Sequence, residues 1–479
     1  MSFDSVHFLI FLPIVLLVYY LIPQRVRALW LLVASYYFYM SWNPKYALLI
    51  LLSTILTYIT GILIESTNET FLRKLYVALC IVINLSILFS FKYLNFFIDN
   101  INGVFNILGI DHSLKHMNWL LPVGISFYTF QAIGYIIDVY RGNIKVERNI
   151  VYYALFISFF PQLVAGPIER AGNILTQIRT EAKKVDVDKL LKGFLLVGWG
   201  LFEKSVVSDR IALVVDEIFG NYSEYGLMPI VVATIIFTIE VYCDFDAYSN
   251  IARGAASMFG YDLMINFKQP FLATTVVDFW KRWHISLTGW FRDYLYIPLG
   301  GNRKGKVRQC INIFIVFLVS GLWHGASWTF VIWGGINGIA QIVSHLRNKA
   351  DLNTRISFST RLLRTATTFG IYAFSMFFFR VSSMKEALEV FGQMKTRVGD
   401  FGMITSCMGV SDWRILILGL LLLLIIDVMH EKKIAIVEVF KKQDVWFRYL
   451  VYVGIIAVYF YLGMNFGLEG QHQFIYFQF

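Results

Sequence analysis

Apolar runs separated by short polar intervals set the rhythm of this chain. A transmembrane helix needs about 20 predominantly apolar residues, and runs read as spans fall at 3–22, 26–42, 46–64, 75–98, 119–140, 225–242, 363–379, 415–428 and 450–465. The first begins at Phe3, with no basic leader before it and no small-residue cleavage site after it. It therefore reads as a retained transmembrane helix.

Four stretches break the rhythm. Residues 150–166 contain Pro161 and lie between the basic "RGNIKVER" and the charged "ERAGNILTQIRTEAKKVDVDKLLK". Like-charged flanks predict a re-entrant segment that enters and leaves on the cytoplasmic side, which is tolerated only where protein surrounds it. Residues 191–219 are interrupted by Glu203, Lys204, Asp209 and Arg210, charges whose helical spacing lets them pair internally or line a polar path, or that mark a tilted helix end. Residues 251–297 are dense in aromatic and charged side chains and read as short helices, interfacial or folded into the protein. Residues 310–345 have basic flanks at both ends; about 36 helical residues reach about 54 Å, enough for a crossing and a return. The break is expected at 321–327.

The prediction is an all-α polytopic membrane protein of about 10–12 transmembrane helices, with re-entrant and interfacial helices around a central cavity, in one domain over 1–479. Basic loops fix its orientation. "HEKKIAIVEVFKK" before the last span and "QRVR" after the first put both chain ends outside, so residues 467–479 form an extracytoplasmic tail. No fixed-period repeat and no low-complexity linker divides the chain.

Composition agrees: 57% hydrophobic, 17% aromatic and 15% charged residues with a mean hydropathy of +0.61 describe lipid-embedded protein. The net charge of +10 comes from short Lys/Arg clusters between spans, which is topology and not a nucleic-acid footprint. Cys80, Cys243, Cys310 and Cys407 show neither CxxC nor Cys/His spacing, and Asp244 and Asp246 have no His/Cys partners in sequence, so no disulfide framework and no metal are expected.

The candidate chemistry lies in 278–341. His324, in "GLWHGAS", is an ionisable side chain inside an apolar run, and a buried neutral imidazole can act as general base. Gly321, Gly325 and Ala326 leave room for a backbone break, and Trp323 and Trp328 could wall a cavity against water. The plainer alternative is a histidine bonding between packed helices. His284, in "KRWHISL", shifts the balance towards a site, orienting substrate or base, or serving as a structural histidine. Lys281, Arg282, Arg292 and "GGNRKGKVR" could hold donor phosphates, although juxtamembrane cations are more often topology signals and no Walker pattern is present.

"DFWKRWHISLTGWFRDYLYIPLGGNRKG", "GLWHGASWTFVIWGGING" and "FFPQLVAGPIER" resemble the membrane-bound O-acyltransferase family. More narrowly they resemble its bacterial branch of alginate and peptidoglycan O-acetylation membrane subunits, with teichoic acid D-alanyl transferases more distant. The resemblance implies helices around a funnel-like core and His324 as the family histidine. It implies no bound cofactor and a cytoplasmic acyl thioester, acetyl-CoA, as donor, with Lys281, Arg282, Trp283, Arg292 and Trp323 on the donor side. It also implies a bacterial cell membrane location and a separate extracytoplasmic esterase-like (SGNH-type) transferase that places the acetyl group on polysaccharide. In the terminal "FIYFQF", Tyr476 is either an acyl-relay nucleophile, or an interfacial anchor or contact for the partner. A transporter or flippase using His324, Glu203 and Lys204 in a proton or substrate path is the competing reading, and D-alanyl transfer to teichoic acid is the alternative acyl group.

Overall fold

The computed structural model describes residues 1–180, 185–347, 357–459, 461 and 474–475. Among these, helices and turns form the whole architecture. Among the described residues six helices have the length and apolarity to cross a membrane, fewer than the expected number: Pro44–Ser66, Thr70–Lys92, Leu227–Met258, Gly305–His324, Phe358–Arg380 and Val410–Glu431. Val6–Leu21 and Val445–Ala457 are shorter and apolar. The protein is thus an all-α polytopic membrane protein.

The described residues fall into two units, Met1–Gly193 with Ala255–Met264, and Phe194–Gly254 with Ile265–Phe479. In the first, polar side chains join helices inside apolar surroundings. Ser53 donates to Asn84 at 2.7 Å and Tyr153 donates to Thr57 at 2.7 Å, bonds that hold helices together where the hydrophobic effect gives no preference between helix and lipid. The run at 75–98 is not one span. It divides at Tyr93 into Thr70–Lys92 and Leu94–Ile107. The run at 119–140 becomes helical only at Ile125, because Pro122 and the left-handed Gly124 (φ 76°) interrupt its start. A side chain at Gly124 would have its Cβ 2.7 Å from the Leu163 carbonyl oxygen.

Residues 150–166 form the helix Ile150–Ser158 followed by buried irregular backbone. Nine helical residues extend about 14 Å, less than half of a hydrocarbon core of about 30 Å, so this helix is too short to span. Its backbone groups find side-chain partners. Gln131 and Gln162 donate to the Phe156 carbonyl at 2.7 and 2.8 Å, and Ser35 accepts from the Phe160 amide at 3.0 Å, so the broken backbone is not left unsatisfied.

The second unit holds the unusual sequence. The stretch that reads as a charged, tilted helix contains a π-helical turn, Glu203–Ser208, continued by Asp209–Gly220. Its charges pair internally. Lys204 Nζ lies 2.9 Å from Asp209 Oδ1 and 2.8 Å from Asp244 Oδ1. Residues 265–297 are short helical pieces, including Val276–Arg282 and Ile285–Phe291. The hairpin of Gly305–His324 and Trp328–Arg347 breaks at 325–327, inside the expected interval. Glycines let these two helices touch. A Cβ on Gly321 would fall 2.2 Å from the Phe330 carbonyl oxygen, and one on Gly334 would fall 2.3 Å from that of Phe317.

Candidate functional site

His324 is the last residue of the Gly305–His324 helix, where Gly325 turns extended. The close hairpin packing just described fixes this end. The imidazole sits among aromatic edges, with ring centres 5.0 Å from Trp323, 5.0 Å from Trp333 and 5.3 Å from Phe379. It is buried.

His284 is buried as well, and its backbone is left-handed, φ 44° and ψ 54°. An L-residue pays for that conformation, and such strain persists only where neighbours determine it and clusters at functional sites. The neighbours here are a backbone clamp. The Lys268 amide donates to the Arg282 carbonyl at 3.0 Å, the Ile285 amide donates to the Asn266 carbonyl at 2.9 Å, and the Ser286 amide donates to Asn266 Oδ1 at 3.3 Å. Asn266 is anchored in turn, donating to Ser249 at 2.9 Å. The ring of His284 meets Phe245 edge-on at 4.6 Å. Outside the spanning helices, burial lowers its pKa to about 3, so at neutral pH it carries no charge.

Forty residues apart in sequence, the two histidines line one cavity of about 100 Å³. Trp280, Trp283, Phe291 and Phe317 supply its aromatic wall, and Thr288, Ser320 and Gln341 its other polar points. Trp323 packs against both imidazoles, with its ring centre 6.1 Å from that of His284 and 5.0 Å from that of His324. The indole N–H of Trp280 is buried and has no acceptor among the described residues.

The structure brings His284, Trp283, Trp323 and His324 together and leaves the cations off the cavity lining. Arg282 is held by Glu431 at 2.7 Å and Asp278 at 3.0 Å, and Arg292 pairs with the adjacent Asp293 at 2.7 Å. Lys281 is exposed. Trp328 does not wall the cavity as expected. It is 53% exposed, because it opens the returning helix, and Trp333, one and a half turns on, takes its place beside His324. Tyr476 lies outside the described residues, and the two residues before it, Phe474 and Ile475, are buried. Asn266, Phe245, Trp333 and Phe379 went unnoticed in the sequence. Asn266, a lone amide in the otherwise apolar "LMINF", was the one available signal.

Comparison with known proteins agrees with the motifs. The family model of membrane-bound O-acyltransferases matches residues 145–384, an interval that contains both histidines. The chain is 38% identical to a protein named probable alginate O-acetylase from Pseudomonas syringae pv. tomato, over 82% of this chain and 75% of that one. It is 33% identical to a peptidoglycan O-acetyltransferase from Helicobacter pylori, over 79% and 77% of the two chains. To a teichoic acid D-alanyltransferase from Streptococcus thermophilus it is 28% identical over 48% and 59%. The chain belongs to the membrane-bound O-acyltransferase family and is a membrane O-acyltransferase.

Proposed function

We propose that this protein moves an acetyl group from a cytoplasmic thioester across a bacterial cytoplasmic membrane for O-acetylation of a cell-surface or secreted polysaccharide. The observation that carries the reading is the shared aromatic cavity of His284 and His324, with His324 at a helix break. A hydroxyl oxygen attacks the thioester carbonyl carbon while His324 accepts the hydroxyl proton. The carbon–sulfur bond breaks, and that proton leaves with the thiolate as the free thiol. A cavity of about 100 Å³ has room for a group as small as acetyl. Of Lys281, Arg282 and Arg292, Lys281 is the candidate for donor phosphate, since Arg282 and Arg292 are already paired.

Tyr476 is the proposed first acceptor, passing the acetyl group to a separate extracytoplasmic esterase-like transferase. Relatives named for alginate and for peptidoglycan O-acetylation support acetyl over D-alanyl as the group moved, by their higher identity and coverage. A transport path through Lys204 is disfavoured, because two carboxylates already hold its ammonium.

The test is purified full-length protein with labelled acetyl-CoA. Thioester consumption and tail labelling should both vanish in His324→Ala, and unchanged turnover there removes His324 as the base. Tyr476→Phe keeps the aromatic ring and deletes the nucleophile. Continued acetyl export in that variant overturns the relay.

A further inference from the structure

The buried charges of the second unit do not touch the cavity, yet they meet the end of the chain. Asp244 spends one carboxylate oxygen on Lys204, 2.8 Å away, while its Oδ2 accepts the backbone amide of Ile475 at 2.8 Å. The Phe474 ring lies over the same ammonium, 4.5 Å from ring centre to Lys204 Nζ, and packs edge-on against Tyr248 at 5.2 Å. Residues 474 and 475 are 1% and 6% exposed. They are therefore seated by a charge-assisted hydrogen bond and a cation–π contact, both made by one ion cluster.

Apolar side chains would fill such a space at least as stably, since replacing a buried ion group by well-packed hydrophobic residues is often neutral or stabilising. What an ion cluster adds is register. Lys204 faces two aspartates, Asp209 and Asp244, and the second carboxylate oxygen of Asp244 faces the tail. That oxygen takes an N–H donor at a fixed point, and the tail amide of Ile475 is the donor. Every residue of the tail carries an amide, but a slide of one residue would put Gln473 or Ile475, neither of them aromatic, in the place of the Phe474 ring over Lys204.

The same helix turn meets one of the two histidines. Phe245, next in chain to Asp244, is the residue against which His284 packs at 4.6 Å. We infer that the Lys204–Asp209–Asp244 cluster is a receptor for the C-terminal tail of this chain, fixing the register of Phe474 and Ile475 so that the tyrosine that follows is presented for acyl transfer. The purpose of the register rests on the proposed relay; the docking itself does not. Lys204 and Asp244 are then positioning residues, and acting through the tail they need not touch the thioester.

The experiment places a photoreactive benzoylphenylalanine at position 474 of the full-length protein in native membranes and maps the crosslinks by peptide sequencing. Crosslinks should fall in 204–209 and 241–248. Ile475→Pro deletes the amide donor while leaving the cluster whole. It should lower their yield by about ten-fold or more, the factor carried by one charge-assisted hydrogen bond. Asp244→Asn should act in the same direction, and the proline variant keeps the test informative where the aspartate variant fails to fold. Crosslinks that map elsewhere, or that persist undiminished in Ile475→Pro, overturn the receptor. Crosslinks as expected together with intact acetyl export in Tyr476→Phe keep the receptor and overturn the relay.

Discussion

Trp333 meets the imidazole of His324 edge to face, ring centres 5.0 Å apart and planes 79° apart. The contact joins the two arms of the 305–347 hairpin at the residue proposed for chemistry. Removing the imidazole in His324→Ala should lower acyl transfer by about 10²–10⁴-fold, the usual weight of a general base, with the fold retained, as read by thermal melting of purified protein. Trp333→Ala is a different lesion, costing about 3–5 kcal/mol of stability through the cavity it leaves. Trp333→Phe should restore most of the stability, and comparing the activities of the two variants at matched folded fraction separates packing from chemistry.

The glycine contact is a steric prediction. A methyl at Gly321 would collide with the backbone carbonyl of Phe330 at 2.2 Å, and backbone cannot swing aside as a side chain can. Gly321→Ala should therefore push the hairpin arms apart, lower stability by about 1–3 kcal/mol and reduce kcat through misplacement of His324. Gly370→Ala, on a helix with nothing near the added atom, is the control and should melt like the wild type.

His284 sets a pH dependence whose sign follows from burial. Its folded-state pKa of about 3 lies below the ordinary value of 6.5, so the unfolded chain binds the proton more readily. Stability from this group is full above pH 6.5 and is lost as pH falls towards the folded value, by about 1.4 kcal/mol per pH unit. The difference in melting temperature between pH 7.5 and pH 5.5 should shrink in His284→Gln. An equal shift in both proteins would show that other groups carry the acid sensitivity.

Arg282 is half-buried between Asp278 and Glu431, which predicts a structural phenotype. Arg282→Ala should lower thermal stability with little change in the KM for acetyl-CoA. Lys281→Ala should do the reverse, raising KM with the melting temperature unchanged. A double-mutant cycle of Arg282 and Glu431 measures the coupling, expected at roughly 0.5–1.5 kcal/mol for an ion pair that is only partly removed from water.

Much of this molecule was determined by local sequence. The apolar runs specified a helical membrane protein, because hydrocarbon leaves the backbone no other partner over such lengths. Proline and like-charged flanks marked 150–166 as something other than a full span, and small residues at 321–327 marked the break that places His324 at a helix end. Family motifs singled out both histidines.

Tertiary structure alone decided which residues share a space. Nothing in "KRWHISL" requires a left-handed backbone at His284. Asn266, eighteen positions earlier, helps to impose it through a clamp that exists only once the segments lie side by side. Trp333 replaced Trp328 beside His324 because helix phase, and not proximity in sequence, selects the inward side chain. Lys204 read equally well as a polar path or an internal pair, since spacing along a helix says nothing of an aspartate forty residues away on another. Contacts of that kind follow from packing, whose partners a linear pattern does not name.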